Sequence, residues 1–200
     1  IVNSCGVKKQ TEDRVISYLK KLLPLRKRLV VVGCLPLINR ERLLKEFRGL
    51  ELGGPALGPK IVEMLEGKVQ GNLLSNDLFP PLAHRSYGST IHITPIAHGC
   101  LGECSYCAVR LARGRLRSYR VDEVVKDVKL AVEGGSREVW LTAQDTGAYG
   151  LDISSNLIDL LRRVFEEVEG FFMLRIGMMN PKRAKLMLDD LVDLFRSEVR

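Results

Sequence analysis

The stretch "HGCLGECSYC", residues 98–107, sets three cysteines three and then two residues apart: Cys100, Cys104 and Cys107. A structural zinc site closes its tetrahedron with four ligands, whereas three protein ligands leave a metal with one position open to chemistry. The residues just before, "TIHITPIAHG", alternate in a β-rich pattern and predict a strand that delivers the cysteines to its C-terminal end. Downstream, Val121, Val124, Val125, Val128 and Val132 recur at helical spacing and are closed by Gly134 and Gly135. "REVWLTAQ" then reads as a buried strand, Leu157, Leu160, Leu161, Val164 and Val168 as a second helical face closed by Gly170, and "FFMLRIGMM" as a further buried strand. Repeated strand and helix imply a parallel sheet, and in barrels built this way the loops after the strands form the site.

Upstream the same alternation is present on a smaller scale. "IVNS" and "LVVVG" are short β-rich runs, and between them Val15, Ile16, Leu19, Leu22 and Leu23 predict a helix. "INRERLLKEF" predicts another with Asn39 as its cap, and "GPKIVEMLEG" a third, with Pro59 near its start and Gly67 at its end. Residues 1–75 therefore read as a small α/β domain, 76–85 as a linker around Pro80 and Pro81, and 86–200 as the second domain. Cys5 and Cys34 each fall just after one of the first domain's strands, at the edge of a parallel sheet where ligands gather. A buried cysteine acting as a small hydrophobe is the alternative for each.

Composition bounds the class. The chain has 200 residues, 46% hydrophobic and 28% charged, enough to bury a sizeable core. It contains neither a run of eighteen apolar residues nor a secretory leader pattern at "IVNSCGVKKQ", which points to a cytoplasmic setting with no membrane contact in this segment. Five cysteines, three of them within eight residues, argue against a disulfide framework and for metal or redox chemistry. The formal net charge is +7, and its distribution matters more than its size. In "AVRLARGRLRSYR", Arg110, Arg113, Arg115, Arg117 and Arg120 follow the cysteines with no acidic residue among them, which predicts a polyanion partner such as RNA. The run "KKLLPLRKR" either extends that footprint or solvates a helix end.

The spacing C-x3-C-x2-C resembles the signature of the radical S-adenosylmethionine (SAM) enzymes. In that family three thiolates hold three irons of a 4Fe-4S cluster, and the fourth iron binds the amino and carboxylate groups of SAM. An electron from the cluster cleaves the sulfonium and yields a 5'-deoxyadenosyl radical. A zinc knuckle using His98 or His92 as fourth ligand, an RNA-binding module of another class, is the rival; no second ligand pair follows at zinc-finger spacing.

"NSCGV", "VVVGCLP", "CLGECSYC", "ARGRLRSY", "LTAQDTGAYG" and "RIGMMNP" resemble, in order, the tRNA methylthiotransferases. The similarity is strongest to the archaeal and eukaryotic branch, which acts on N6-threonylcarbamoyladenosine beside the anticodon. The resemblance implies a small α/β domain followed by part of a radical SAM barrel, two 4Fe-4S clusters and SAM, with tRNA, an external electron donor and a sulfur source as partners. It assigns Cys100, Cys104 and Cys107 to the radical cluster, and Cys5 and Cys34 to two of the three ligands of an auxiliary cluster. The third auxiliary cysteine, the remaining barrel strands and a small C-terminal RNA-binding domain have no counterpart here, as expected of a piece of a longer chain. The same resemblance puts Gln144 and Asp145 at the methionine end of SAM, with turn capping as their alternative. Arg175 and Asn180 would contact its carboxylate or ribose, or serve as ordinary barrel polar residues. Gly99 and Gly102 would allow close backbone approach to the cluster, or simply form turns. Arg110, Arg113, Arg115 and Arg117 become RNA contacts. The other branches, acting on isopentenyladenosine tRNA or on a ribosomal protein, share the chemistry and remain the alternatives.

Overall fold

The computed structural model describes residues 1–69, 71–74, 82 and 88–198, with the side chain of 198 excepted; the expected linker at 76–85 lies, residue 82 apart, outside the described residues. The chain divides into two compact units, residues 1–80 with 102–114, and residues 81–101 with 115–200.

In the first unit β1 (Val2–Ser4), α1 (Lys9–Leu22), β2 (Val30–Gly33), α2 (Leu35–Ile38), α3 (Arg40–Glu46), β3 (Glu51–Leu52) and α4 (Lys60–Leu65) follow one another. The strands form a parallel sheet in the order β1-β2-β3, with Val2 opposite Val31 and Ser4 opposite Gly33. Helix α1 makes the crossover and buries Ile16 and Leu19 against Val2, Val31, Leu35, Leu43, Phe47 and Leu52. The other face of β2 packs Val30 and Val32 against Leu57 and Met64. Burial on both faces is why β2 is an unbroken valine run and not an alternating one. Asn39 caps α3 as its sequence predicts, its side chain accepting from the Arg42 N–H. The segment 102–114 adds α5 (Val109–Arg113), which packs against α2 within this unit.

Gly33 ends β2 at φ +105°, and a Cβ there would lie 2.2 Å from the Ser4 carbonyl oxygen. That oxygen accepts the Cys34 N–H at 3.0 Å. Gly33→Ala is therefore expected to destabilise the first unit by roughly 3 kcal/mol or more, a strained φ adding to a backbone clash. Denaturant unfolding followed by hydrogen exchange at the β1 and β2 amides measures it; wild-type protection in the variant would contradict the geometry.

The second unit holds β4 (Ile91–Pro95), β5 (Ala97–His98), β6 (Arg117–Ser118), α6 (Val121–Glu133), β7 (Glu138–Thr142), α7 (Leu157–Glu167), β8 (Met173–Ile176), α8 (Pro181–Leu186) and α9 (Leu188–Glu198). Its main sheet is parallel in the order β4-β7-β8, and β5 pairs antiparallel with β6 as a separate ladder. Val124, Val125 and Val128 of α6, Leu157, Leu160, Leu161 and Val164 of α7, and Val139 and Leu141 of β7 form one apolar cluster. Each such side chain contributes about 1.5–3 kcal/mol when fully buried. The inner face of β4 is polar: His92 and Thr94 are buried, and both meet the Asp127 carboxylate of α6, at 2.9 and 2.8 Å. Ile91 and Ile93 sit on the opposite face of the sheet and are exposed.

The expectation of buried strands at "REVWLTAQ" and "FFMLRIGMM" is corrected in part. β7 buries only Val139 and Leu141, and β8 has no fully buried residue, because helices cover one face of this sheet and the other is open among the described residues.

Candidate functional site

The three motif cysteines follow β5. Gly99 turns the chain in the left-handed region at φ +78°, and Cys100 comes next, half-buried. Cys104 and Cys107 are exposed in a tight turn in which the Cys107 N–H donates to the Cys104 carbonyl at 3.0 Å. The fully accessible Tyr106 lies beside them, and its hydrogen bond with the Cys104 thiol pushes its phenol above the usual value. None of the five cysteines is in a disulfide. Among the described residues no three His, Cys, Asp or Glu side chains are gathered closely enough to hold a metal ion. The donor set nonetheless fits an iron-sulfur cluster: three soft thiol ligands on irregular backbone with no competing bridges. The zinc alternative loses one fourth ligand, since the His92 ring is buried in its contact with Asp127.

In the first unit the parallel register accounts for the other two cysteines. Ser4 lies opposite Gly33, and Cys5 and Cys34 are the residues that directly follow these two paired strand ends, Cys5 exposed and Cys34 buried. Cys34 also opens α2, the helix that packs against α5, and α5 starts just after Cys107.

The ends of β7 and β8 carry the residues expected at the cofactor. Asp145 is buried and both its oxygens are engaged: one accepts the Asn180 N–H at 2.9 Å, and the other lies 3.3 Å from the Arg183 guanidinium. Asn180 caps α8 through the Lys182 N–H at 3.0 Å. Thr146 strengthens the same junction, its N–H and hydroxyl both donating to the Met178 carbonyl. These two residues thus join two strand-end loops. Gln144 differs: its Oε1 is buried and has no hydrogen-bond partner among the described residues, a desolvated acceptor that a bound polar molecule would satisfy. Arg175 places its guanidinium 4.4 Å from the centroid of the Trp140 ring, on the sheet face shared with Ile93. The Trp140 Nε1–H is held by Glu138 at 2.8 Å. Sequence reasoning missed Trp140, although a lone tryptophan in an alternating strand marks a position on one defined face.

The arginines are unequal. Arg110 pairs with Glu103 at 2.8 Å, Arg113 lies in the last turn of α5, and Arg117 sits in β6 opposite His98. Arg113 and Arg115 have no ion pair among the described residues. In the second basic run, Arg28 clamps the Glu51 carboxylate and donates to the Met64 and Leu65 carbonyls at the end of α4, while Lys20 pairs with Glu46. Those two charges are engaged within the first unit.

Comparison with known proteins fits this arrangement. The radical SAM superfamily model matches residues 94–196. A "Probable threonylcarbamoyladenosine tRNA methylthiotransferase" of Pyrococcus abyssi is 39% identical over 210 residues, covering 99% of this chain and 48% of that protein. The threonylcarbamoyladenosine tRNA methylthiotransferase of Homo sapiens is 37% identical over 196 residues, covering 90% of this chain and 33% of its own length. The chain thus spans about half the length of the archaeal relative and a third of the human one. Among solved structures, a radical SAM methyltransferase from Kitasatospora setae superposes with a TM-score of 0.41 at 16% identity, over 78% of this chain and 43% of that one. No helix among the described residues is long and apolar enough to cross a membrane. With the matched region beginning in the strand before the three cysteines and running through β7 and β8, the chain belongs to the radical SAM superfamily, whose members use a 4Fe-4S cluster and SAM.

Proposed function

We propose that this chain is part of a tRNA methylthiotransferase that converts N6-threonylcarbamoyladenosine beside the anticodon to its 2-methylthio derivative. The observation that carries the reading is similarity over 99% of the chain, through both units, to a relative named for that reaction. In it, residues 1–75 are the N-terminal domain and 86–200 the start of the radical SAM domain. Cys100, Cys104 and Cys107 are the thiolates that hold the radical cluster. Cys5 and Cys34 supply two ligands of an auxiliary cluster, a role supported by their place directly after two paired parallel strands. When bound, the radical cluster supplies the electron that cleaves the sulfonium of SAM. The chain's own residues bind and orient: Gln144 offers its buried acceptor to the cofactor's amino group, and Arg175 a guanidinium for a carboxylate. Asp145 and Asn180 tie together the loops that follow the two strands, the first of which carries Gln144. An external reductant, a sulfur source and a cytoplasmic location complete the proposal. The test is direct: the full-length protein, supplied with SAM, reductant and sulfide, should add a methylthio group in place of hydrogen on threonylcarbamoyladenosine, read by mass spectrometry of digested tRNA. Product on another nucleoside, or none, would overturn the assignment.

Arg110, Arg113, Arg115 and Arg117 are proposed to meet tRNA phosphates. Each phosphate contact removed lowers the slope of log K against log salt by about 0.7–0.9. Arg113→Glu combined with Arg117→Glu is therefore expected to weaken tRNA binding and flatten its salt dependence by between one and two units. Filter binding over a salt series reads this, and an unchanged slope would return both arginines to structural duty.

A further inference from the structure

Residues 99–116 carry all three motif cysteines, and the two ends of this segment are tied together outside it. β5 and β6 pair with Ala97 opposite Ser118 and His98 opposite Arg117, and the Tyr119 N–H donates to the Ile96 carbonyl at 3.0 Å. A two-residue ladder is a weak clasp, since even a complete two-stranded ribbon is marginal in water and closing the intervening loop costs chain entropy. The loop after β7 reinforces it. One oxygen of Asp152 accepts the Ser118 N–H at 2.8 Å, and the other accepts the Ser118 hydroxyl at 2.6 Å. The Ser118 Oγ in turn accepts the Gly150 N–H at 2.9 Å. Tyr149, fully buried, donates its hydroxyl to the Tyr119 carbonyl at 2.9 Å, and burial pushes its phenol above the ordinary value. The two bonds from Ser118 to Asp152 end on a carboxylate and are stronger than neutral hydrogen bonds. These hydrogen bonds join residues thirty or more positions apart, all within the second unit.

We infer that Asp152, acting through Ser118, and Tyr149, acting through Tyr119, are positioning residues that hold the ends of the cysteine-bearing segment where its thiolates take up the radical cluster. The inference rests on the proposed radical chemistry for the identity of the cluster. Asp152 is exposed, so replacing it leaves no core cavity. It touches none of the proposed cluster or cofactor ligands in the contacts described above.

The experiment uses the full-length protein carrying this sequence, with Asp152→Asn, Ser118→Ala, their double variant and Tyr149→Phe. After anaerobic reconstitution, iron per chain and the rate of iron loss to a ferrous chelator are measured. Asp152→Asn and Ser118→Ala should each release iron about tenfold faster than wild type, and the double variant by clearly less than the product of the two, since both strike the same hydroxyl–carboxylate bond. Tyr149→Phe, which keeps the buried ring, should accelerate release severalfold and carries the test if an Asp152 variant fails to fold. Hydrogen exchange on the iron-free protein gives an independent readout: the Tyr119 amide should exchange about tenfold faster in Asp152→Asn, while the β7 amides keep their wild-type rates. Wild-type iron release in folded Asp152→Asn and Tyr149→Phe variants would reduce these contacts to local packing, with the radical reading intact. Fully multiplicative effects in the double variant would show that Asp152 does not act through the Ser118 hydroxyl. A wild-type protein that takes up zinc and no iron would bring down the radical reading and this inference together.

Discussion

Cys104→Ser is expected to remove nearly all of the iron held by the radical cluster. Three thiolates are the whole protein ligand set in "CLGECSYC", and a serine hydroxyl, far less acidic than a thiol, does not replace one. No further thiol lies between Cys34 and Cys100 or in residues 108–200 to substitute for it. After anaerobic reconstitution the wild-type protein should be brown and oxygen-sensitive, and the variant should lose the corresponding visible absorption by about tenfold or more. Cys100→Ser and Cys107→Ser should behave alike. Cys5→Ser and Cys34→Ser separate the two proposed clusters: they should lower total iron without abolishing the response of the remaining absorption to SAM. Stoichiometric zinc that survives in air, with no iron uptake, would refute the cluster assignment altogether.

What the sequence made legible follows from how local each signal is. The valines of α6 and the leucines of α7 recur at 3.6-residue spacing, so their buried face could be read directly, and Asn39 announces its own helix by capping it. The cysteine motif was legible as a candidate cluster site because its three thiols stand at short separations within one stretch. The register that sets Ser4 opposite Gly33, just before Cys5 and Cys34, was not, since those strands meet only when α1 has packed its apolar stripe over the sheet. Nor does composition reveal which face of β4 is covered. Ile91 and Ile93 would be assigned to the core by hydrophobicity, yet His92 and Thr94 take that place, because Asp127 on α6 satisfies both. The tie between Asp152 and Ser118 is equally hidden, as a carboxylate in a polar loop looks like any solvated surface charge until its partner 34 residues away is known. Helix α8 carries a readable signal, since Asn180 and Pro181 form a cap followed by proline in the first turn.

The second large effect concerns substrate. tRNA carrying threonylcarbamoyladenosine is expected to be modified with kcat/KM higher by on the order of a hundredfold or more than the same tRNA with plain adenosine at that position. The threonylcarbamoyl group adds a carboxylate, and a guanidinium can engage it bidentately in a geometry that neither adenosine nor isopentenyladenosine offers. Within a water-excluded site the asymmetry is large, because the analogue lacking the carboxylate both forfeits the charged hydrogen bonds and strands their donor without a partner. Phosphate contacts through the arginines after Cys107 would be common to all three tRNAs and so cannot supply the discrimination. A competition assay decides it: equal amounts of the threonylcarbamoylated and unmodified tRNA of one ANN-decoding species, full-length protein, SAM, reductant and sulfide, with the methylthio products quantified by mass spectrometry. Equal modification of the two, or preference for isopentenyladenosine when that tRNA is offered, would sink the substrate assignment. The cysteine ligation and the radical chemistry would survive that outcome, since neither depends on which adenine edge is presented to them.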